Sequence, residues 1–348
     1  MCKKIMEDER MRCFDKNEFI EVISKTASIR EDVSKLAEKL YNDGFSNMFL
    51  IGAGGTYCQF EPYEYVLRGI SSIPVYCEIA AEFMARPHQA FNEKSLVFVA
   101  SRSGDTKEII ELEKYIKSKG NNTIVAILQE KKTPIGELAD YTIDIGNKGT
   151  HCVEPMHMMF CMMFYKLAAL NGDFEDYDSF AKAFDGFAEG FLKIKEQFDP
   201  IALEFAKKHK DTDFHMFIGS GSVYGEMYGQ AMCIFEEMQW IKTQSVKAAE
   251  FFHGALEVVE KDTSVIIVRP EDWSKAQADR AIRFCEQYTD NLMVIDLSEY
   301  PLPSLPEKFR PYISMLLTSV ITERLGANIS VERNHSLDIR RYYRQFDY

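Results

Sequence analysis

Three short apolar runs each stop at a loop of glycines and hydroxyl residues, and each is followed by a helical pattern. Met48-Phe49-Leu50-Ile51 stops at Gly52-Ala53-Gly54-Gly55-Thr56. Leu96-Val97-Phe98-Val99-Ala100 stops at Ser101-Arg102-Ser103-Gly104-Asp105-Thr106, and His215-Met216-Phe217-Ile218 at Gly219-Ser220-Gly221-Ser222. Runs this short and this apolar belong to strands buried on both faces, as in a parallel sheet covered by helices. Further strands are expected at 73–76, 123–128, 141–145, 264–268 and 291–295. Helices are expected over most of the first 45 or so residues, from 106 to 119, from 151 to 210, from 221 to 241 and from 313 to 325. Ser28-Ile29-Arg30-Glu31 has the form of a capping box. Helices, strand, glycine-rich turn, helix and strand then recur in the same order. This predicts a diverged duplication of one α/β unit, with domains at 1–170 and 171–348.

The chain's 348 residues, 46% of them hydrophobic, can supply two cores. The formal charge of −13 argues against a nucleic-acid partner, which needs a basic stripe. No run approaches 18 apolar residues and the N-terminus carries no apolar signal core, so no membrane partner is expected. Of the eight cysteines none forms a CxxC pair, and several lie in apolar runs. They read as reduced thiols of a cytoplasmic protein. No cluster of His, Cys and Asp has metal-ligand spacing, so no metal or other cofactor is expected.

The loop 101–106 holds three hydroxyls, a glycine and an arginine between a buried strand and a helix start. In an open α/β sheet that is the carboxyl edge, where ligands bind, and helix-start N–H groups carry partial positive charge. N-capping alone needs one hydroxyl, so the loop reads as a phosphate site. Gly52 to Tyr57 lacks the sixth-position glycine of a dinucleotide fingerprint, although Glu78 could serve as its acid. Glu237 has Cys233, Ile234, Trp240 and Ile241 as its α-helical neighbours. That places it on a packed apolar side, where a carboxylate can act as a general base near neutral pH or be a structurally satisfied acid. His253, in the aromatic run 251–254, reads as either a core histidine or a functional one.

These motifs resemble the SIS (sugar isomerase) domain family. Ser101 to Thr106 matches its Ser-x-Ser-Gly-x-Thr loop, and Gly54-Gly55-Thr56-Tyr57 its first loop. Glu237-Met238-Gln239-Trp240 with Glu250-Phe251-Phe252-His253-Gly254 is similar to the catalytic segment of the isomerase half of glucosamine-6-phosphate synthase. It looks closer still to deglycases of phosphorylated Amadori compounds, as does the ending from Arg340 to Tyr348. The resemblance implies two tandem SIS domains of flavodoxin-like, parallel-sheet αβα form. It further implies that Thr56, Ser101, Arg102, Ser103 and Thr106, beside Gly54 and Gly55, hold a 6-phosphate. Glu237 would move protons between C1 and C2 and His253 would assist ring opening, with Glu250 nearby. Arg341 stands where the synthase has a lysine, and no glutaminase half is present. In this family the histidine often comes from the partner subunit, so a homodimer with shared sites is implied. The implied reaction turns a fructosamine 6-phosphate and water into glucose 6-phosphate and a free amine. An aldose–ketose isomerase of sugar phosphates and a noncatalytic sugar-phosphate sensor are the alternatives.

Overall fold

Strands form where the apolar runs stand, and the protein, described here over residues 11–145 and 153–346 of a computed structural model, pairs them into two parallel sheets. The chain divides into two compact units between Ala188 and Glu189, the second also taking in residues 11–16 and the first 304–306. The expected boundary at 170 falls short of this division.

The first unit runs α1 (Lys16–Ser28), α2 (Arg30–Asp43), β1 (Asn47–Gly52), α3 (Gly55–Ile70), β2 (Val75–Ile79), α4 (Ala80–Ala85), β3 (Ser95–Ser101), α5 (Lys107–Lys119), β4 (Ile124–Leu128), α6 (Pro134–Leu138), β5 (Tyr141–Asp144), α7 (Val153–Leu170) and α8 (Tyr177–Lys182). Its sheet order is β2-β1-β3-β4-β5. Every residue of β1, β3 and β4 is buried, so both faces must be covered. Alternate side chains do this. Phe49, Val97 and Ala126 pack with Phe83 of α4, Leu112 of α5 and Ile135 of α6. Phe98 points the other way, edge-on to Phe164 of α7. α7 is apolar all round and buried along most of its length, the pattern of a helix enclosed by its neighbours.

The second unit runs α9 (Phe187–His209), β6 (Phe214–Gly219), a 3₁₀ turn (Gly221–Val223), α10 (Tyr224–Gly229), a π-helix (Gln230–Met238), β7 (Lys242–Lys247), β8 (Ser264–Arg269), α11 (Lys275–Tyr288), β9 (Leu292–Asp296) and α12 (Ser314–Glu332). Its sheet order is β7-β6-β8-β9. Met216 and Ile218 face a cluster with Ala281 and Cys285 of α11. Phe217 faces Phe235 of the π-helix, ring centroids 4.9 Å apart.

Several expectations change. The sequence shows no strand at β7, whose Lys-Thr-Gln-Ser-Val-Lys is polar because it is an edge strand. The capping box does not form: Ser28 Oγ donates back to the carbonyl of Lys25, and Ile29 separates α1 from α2. Cys13 is disulfide-bonded, against the expectation of reduced thiols throughout, since a bridge needs no CxxC spacing. Cys58, Cys77, Cys161, Cys233 and Cys285 are free. Cys2, Cys152 and Tyr348 lie outside the described residues.

Candidate active site

In the first sheet the strand order reverses between β1 and β3, and a crevice at the carboxyl ends of such a pair is where open α/β sheets bind ligands. The loops after these two strands are 52–56 and 101–106. The structure therefore brings Gly54, Gly55 and Thr56 to the same edge as Ser101, Arg102, Ser103 and Thr106. Gly54 and Gly55 are exposed, and neither Gly54 nor Thr106 caps its helix with a side chain. The N–H groups that open α3 and α5 are thus not screened by the N-cap residues. Thr56 Oγ1 bonds both the N–H and the carbonyl of Ala53, closing the first loop.

Within 101–106 the roles separate. Ser101 is buried; its Oγ accepts from the Gly104 N–H at 3.0 Å and lies 2.9 Å from Thr106 Oγ1. Gly104 has φ +69°, and a Cβ there would come within 2.4 Å of Thr133 Oγ1. Only glycine fits both demands. Arg102 and Ser103 stand exposed at the loop's tip. Ser101 therefore shapes the loop, while Arg102 and Ser103 face outward. Glu78, at the end of β2, is held above the usual carboxylate range, mainly by burial.

Glu237 lies in the π-helix of the second unit. There the backbone bonds i→i+5, so side chains one turn away are not those of an α-helix. The α-helical reading takes Trp240 and Ile241 as neighbours one turn on, but the helix ends at Met238, before either. The Glu237 side chain keeps 27% of its exposure and forms an ion pair, Arg340 Nε donating to Oε1 at 2.7 Å. Its neighbour Glu236 is exposed and accepts from Thr243 Oγ1. Arg341 places its guanidinium 4.2 Å from the Trp240 ring centroid.

Glu237 and His253 sit at opposite ends of β7. Lys242, which opens the strand just after the π-helix, pairs with Phe214 at the amino end of β6. At the other end the Ala248 N–H donates to the Gly219 carbonyl, and the chain turns through Glu250 into the 3₁₀ turn Phe251–His253. β7 alone spans about 17 Å at about 3.3 Å per residue. His253 is exposed, so it is not a core histidine; Phe251 is the buried member of that run. Glu250 is exposed beside it, its carbonyl accepting from the His253 N–H.

The second sheet reverses between β6 and β8, and sequence reasoning missed what lies there. The buried Asp272 accepts from the Ser222 N–H and Oγ and from the Ser274 N–H and Oγ, at 2.5 to 2.9 Å. Ser274 Oγ also lies 3.0 Å from Ser220 Oγ. Gly221, with φ +51°, lies so close that a Cβ would meet Asp272 Oδ2 at 2.8 Å. A lone loop aspartate gives no sequence signal for this role.

Among the described residues, no group of three His, Cys, Asp or Glu side chains could hold a metal ion. No described helix is long and apolar enough to cross a membrane.

Known proteins resemble this arrangement. A fructosamine deglycase of Bacillus subtilis (strain 168) is 28% identical over 93% of this chain and 99% of its own. A fructoselysine 6-phosphate deglycase of Escherichia coli (strain K12) is 22% identical over 89% of each. A crystal structure from B. subtilis, assigned to the phosphosugar isomerases, matches with a TM-score of 0.85 and 26% identity over 93% of this chain and 99% of that one. Residues 40–169, in the first of the two parallel α/β units, match the SIS domain.

Proposed function

We propose that the protein is a deglycase that converts a fructosamine 6-phosphate and water to glucose 6-phosphate and a free amine or amino acid. One observation carries this reading: two helix starts that their N-cap side chains leave uncovered, with an exposed loop at the first switch point, suit a phosphate, and the same chain presents a held carboxylate at Glu237. The similarity to a fructosamine deglycase over nearly the whole chain supports it.

The roles follow from the chemistry. The N–H groups that open α3 and α5, with Ser103, Arg102, Thr106 and Thr56, hold the phosphate, and Ser101 keeps the loop in shape. With the sugar open, C2 is a ketone. Glu237 removes a proton from C1 while the C2 oxygen takes one from solvent, giving an enolamine, and then returns its proton at C2, leaving a protonated imine at C1. Water adds to the imine carbon, and the amine leaves with a proton. His253 assists ring opening. Its placement across β7 from Glu237 supports a site that takes His253 from a second copy, so the active unit is a homodimer or higher homo-oligomer. A phosphorylated substrate is confined by its charge to the compartment where it is made, and we assign the reaction to the cytoplasm. No cofactor enters these steps.

The test is incubation with a panel of phosphorylated fructosamines, reading glucose 6-phosphate and free amine together. Release of both in equal amounts is expected. Interconversion of sugar phosphates without amine release would instead favour the isomerase reading, which the similarity to a structure assigned to the phosphosugar isomerases keeps open. Mixing Glu237→Gln and His253→Ala subunits is expected to restore activity in the mixed oligomers. If mixed oligomers form and stay inactive, the shared-site assignment fails.

A further inference from the structure

The Glu237 carboxylate has a partner that neither the loop motifs nor the segment 250–254 supplies. We propose that Arg340 is the positioning residue of Glu237, an inference that rests on the deglycase reading and deepens it. Arg340 Nε donates to Glu237 Oε1 at 2.7 Å, and the pair keeps only 17% and 27% of its side-chain exposure. The guanidinium is itself held, since Nη1 donates to the carbonyls of Leu337 at 2.6 Å and Ile339 at 3.1 Å. A planar fork fixed at one end by its own backbone fixes the oxygen at the other. Oε1 is thereby committed to the arginine, and Oε2 is the oxygen that exchanges the C1 proton.

The segment that carries Arg340 is anchored to the same short stretch that carries Glu237. The fully buried Gln239 donates through Nε2 to the His335 carbonyl at 2.8 Å. The His335 ring stands edge-on to Trp240 at 4.4 Å, and the Arg341 guanidinium covers the Trp240 ring. Trp240 adopts φ +57°, a left-handed conformation that a bulky residue rarely takes. Such backbone strain persists only where surrounding contacts over-determine it, and it clusters at functional sites. A π-helix, three anchoring contacts and one strained residue thus converge on holding a single carboxylate against a single arginine.

Arg340→Gln tests this. It keeps a donor but loses the charge and the fork. A misplaced base costs on the order of 100-fold, so kcat is expected to fall roughly 10- to 100-fold, with KM within about threefold and the thermal midpoint nearly unchanged. Arg340→Lys is expected to recover part of kcat. Added guanidinium is expected to restore activity to Arg340→Ala in a saturable manner, which a merely structural role would not allow. The C1-hydrogen exchange rate is expected to fall in step with kcat. Wild-type kcat and exchange in Arg340→Gln overturn this inference alone. A fall in kcat with no guanidinium rescue and a lowered thermal midpoint also overturns it. No turnover of any phosphorylated fructosamine by the wild type overturns the deglycase reading and this inference together.

Discussion

The two sheets are wound in the same order, yet their switch points have opposite contents. Between β1 and β3 the loops leave helix-start N–H groups unscreened by their N-caps, and Arg102 and Ser103 stand exposed. Between β6 and β8 the corresponding loops are filled by the Asp272 carboxylate, which takes up two N–H groups and two hydroxyls. Both are places where an anion is favourable. In the second the chain supplies its own, Asp272; in the first the proposed anion is the substrate's phosphate. A repeated fold thus keeps the physics of its ligand edge while giving the position to structure in one copy. In the second unit Glu237, the carboxylate proposed as the base, stands instead before the amino end of β7.

The comparison breaks most readily at Asp272. Asp272→Ala removes one acceptor and strands four buried donors, so the fold is expected to lose about 3 kcal/mol or more, read from urea unfolding. KM for the phosphorylated substrate is expected to stay put. A rise in KM with little loss of stability would mean that the second switch point serves substrate after all.

At the first switch point the expected effect is smaller and of the other kind. Ser103→Ala removes a hydroxyl at the loop's tip. A hydrogen bond to a charged group is worth about 1.5–3 kcal/mol, so KM is expected to rise roughly tenfold or more, with stability little changed. A wild-type KM would show that the loop does not hold the phosphate.

The two units are also expected to respond to pH with opposite sign. In the second unit His209 and His215 are held down from an ordinary 6.5 to about 4 and about 3. Burial is the main cause, helped by Lys208 for the first and by His209 and Arg333 for the second. Both stay neutral when folded, so their contribution is fully present above 6.5 and is lost as pH falls below it. In the first unit burial pushes Glu113 from 4.5 up to about 8, against the pull of Lys117. Its contribution is fully present below 4.5 and is lost as pH rises toward 8. Hydrogen exchange followed unit by unit is expected to show the second unit loosening at pH 5 and the first at pH 8. Glu113→Gln is expected to abolish the alkaline loss; an unchanged pH response in that variant would remove Glu113 from the account.

How much of this could be read in the sequence depends on whether local pattern or tertiary packing decides each feature. β1, β3, β4, β6 and β8 were legible because a strand buried on both faces must be apolar. The 101–106 loop was legible as a strand-to-helix turn because its residues are contiguous. β7 was hidden by the polarity of an edge strand. The π-helix was hidden because its winding has no composition of its own, and so was its end at Met238, before two of the neighbours assigned to Glu237. Asp272 and Arg340 were hidden because each acts on residues far along the chain. Arg340 reaches back to Glu237, and Asp272 gathers Ser222 as well as the nearby Ser274.

The central claim is that Glu237 moves the C1 proton. Glu237→Gln keeps size and a polar amide but removes the base, and one general base contributes about 10²–10⁴-fold. The direct measurement follows amine release and exchange of the C1 hydrogen with solvent side by side, with Glu236→Gln as a control expected to keep most activity. The account predicts that Glu237→Gln loses both release and exchange by roughly two to four orders of magnitude, with KM little changed. Exchange of the C1 hydrogen at the wild-type rate in Glu237→Gln would contradict it and make Glu237 a structural acid.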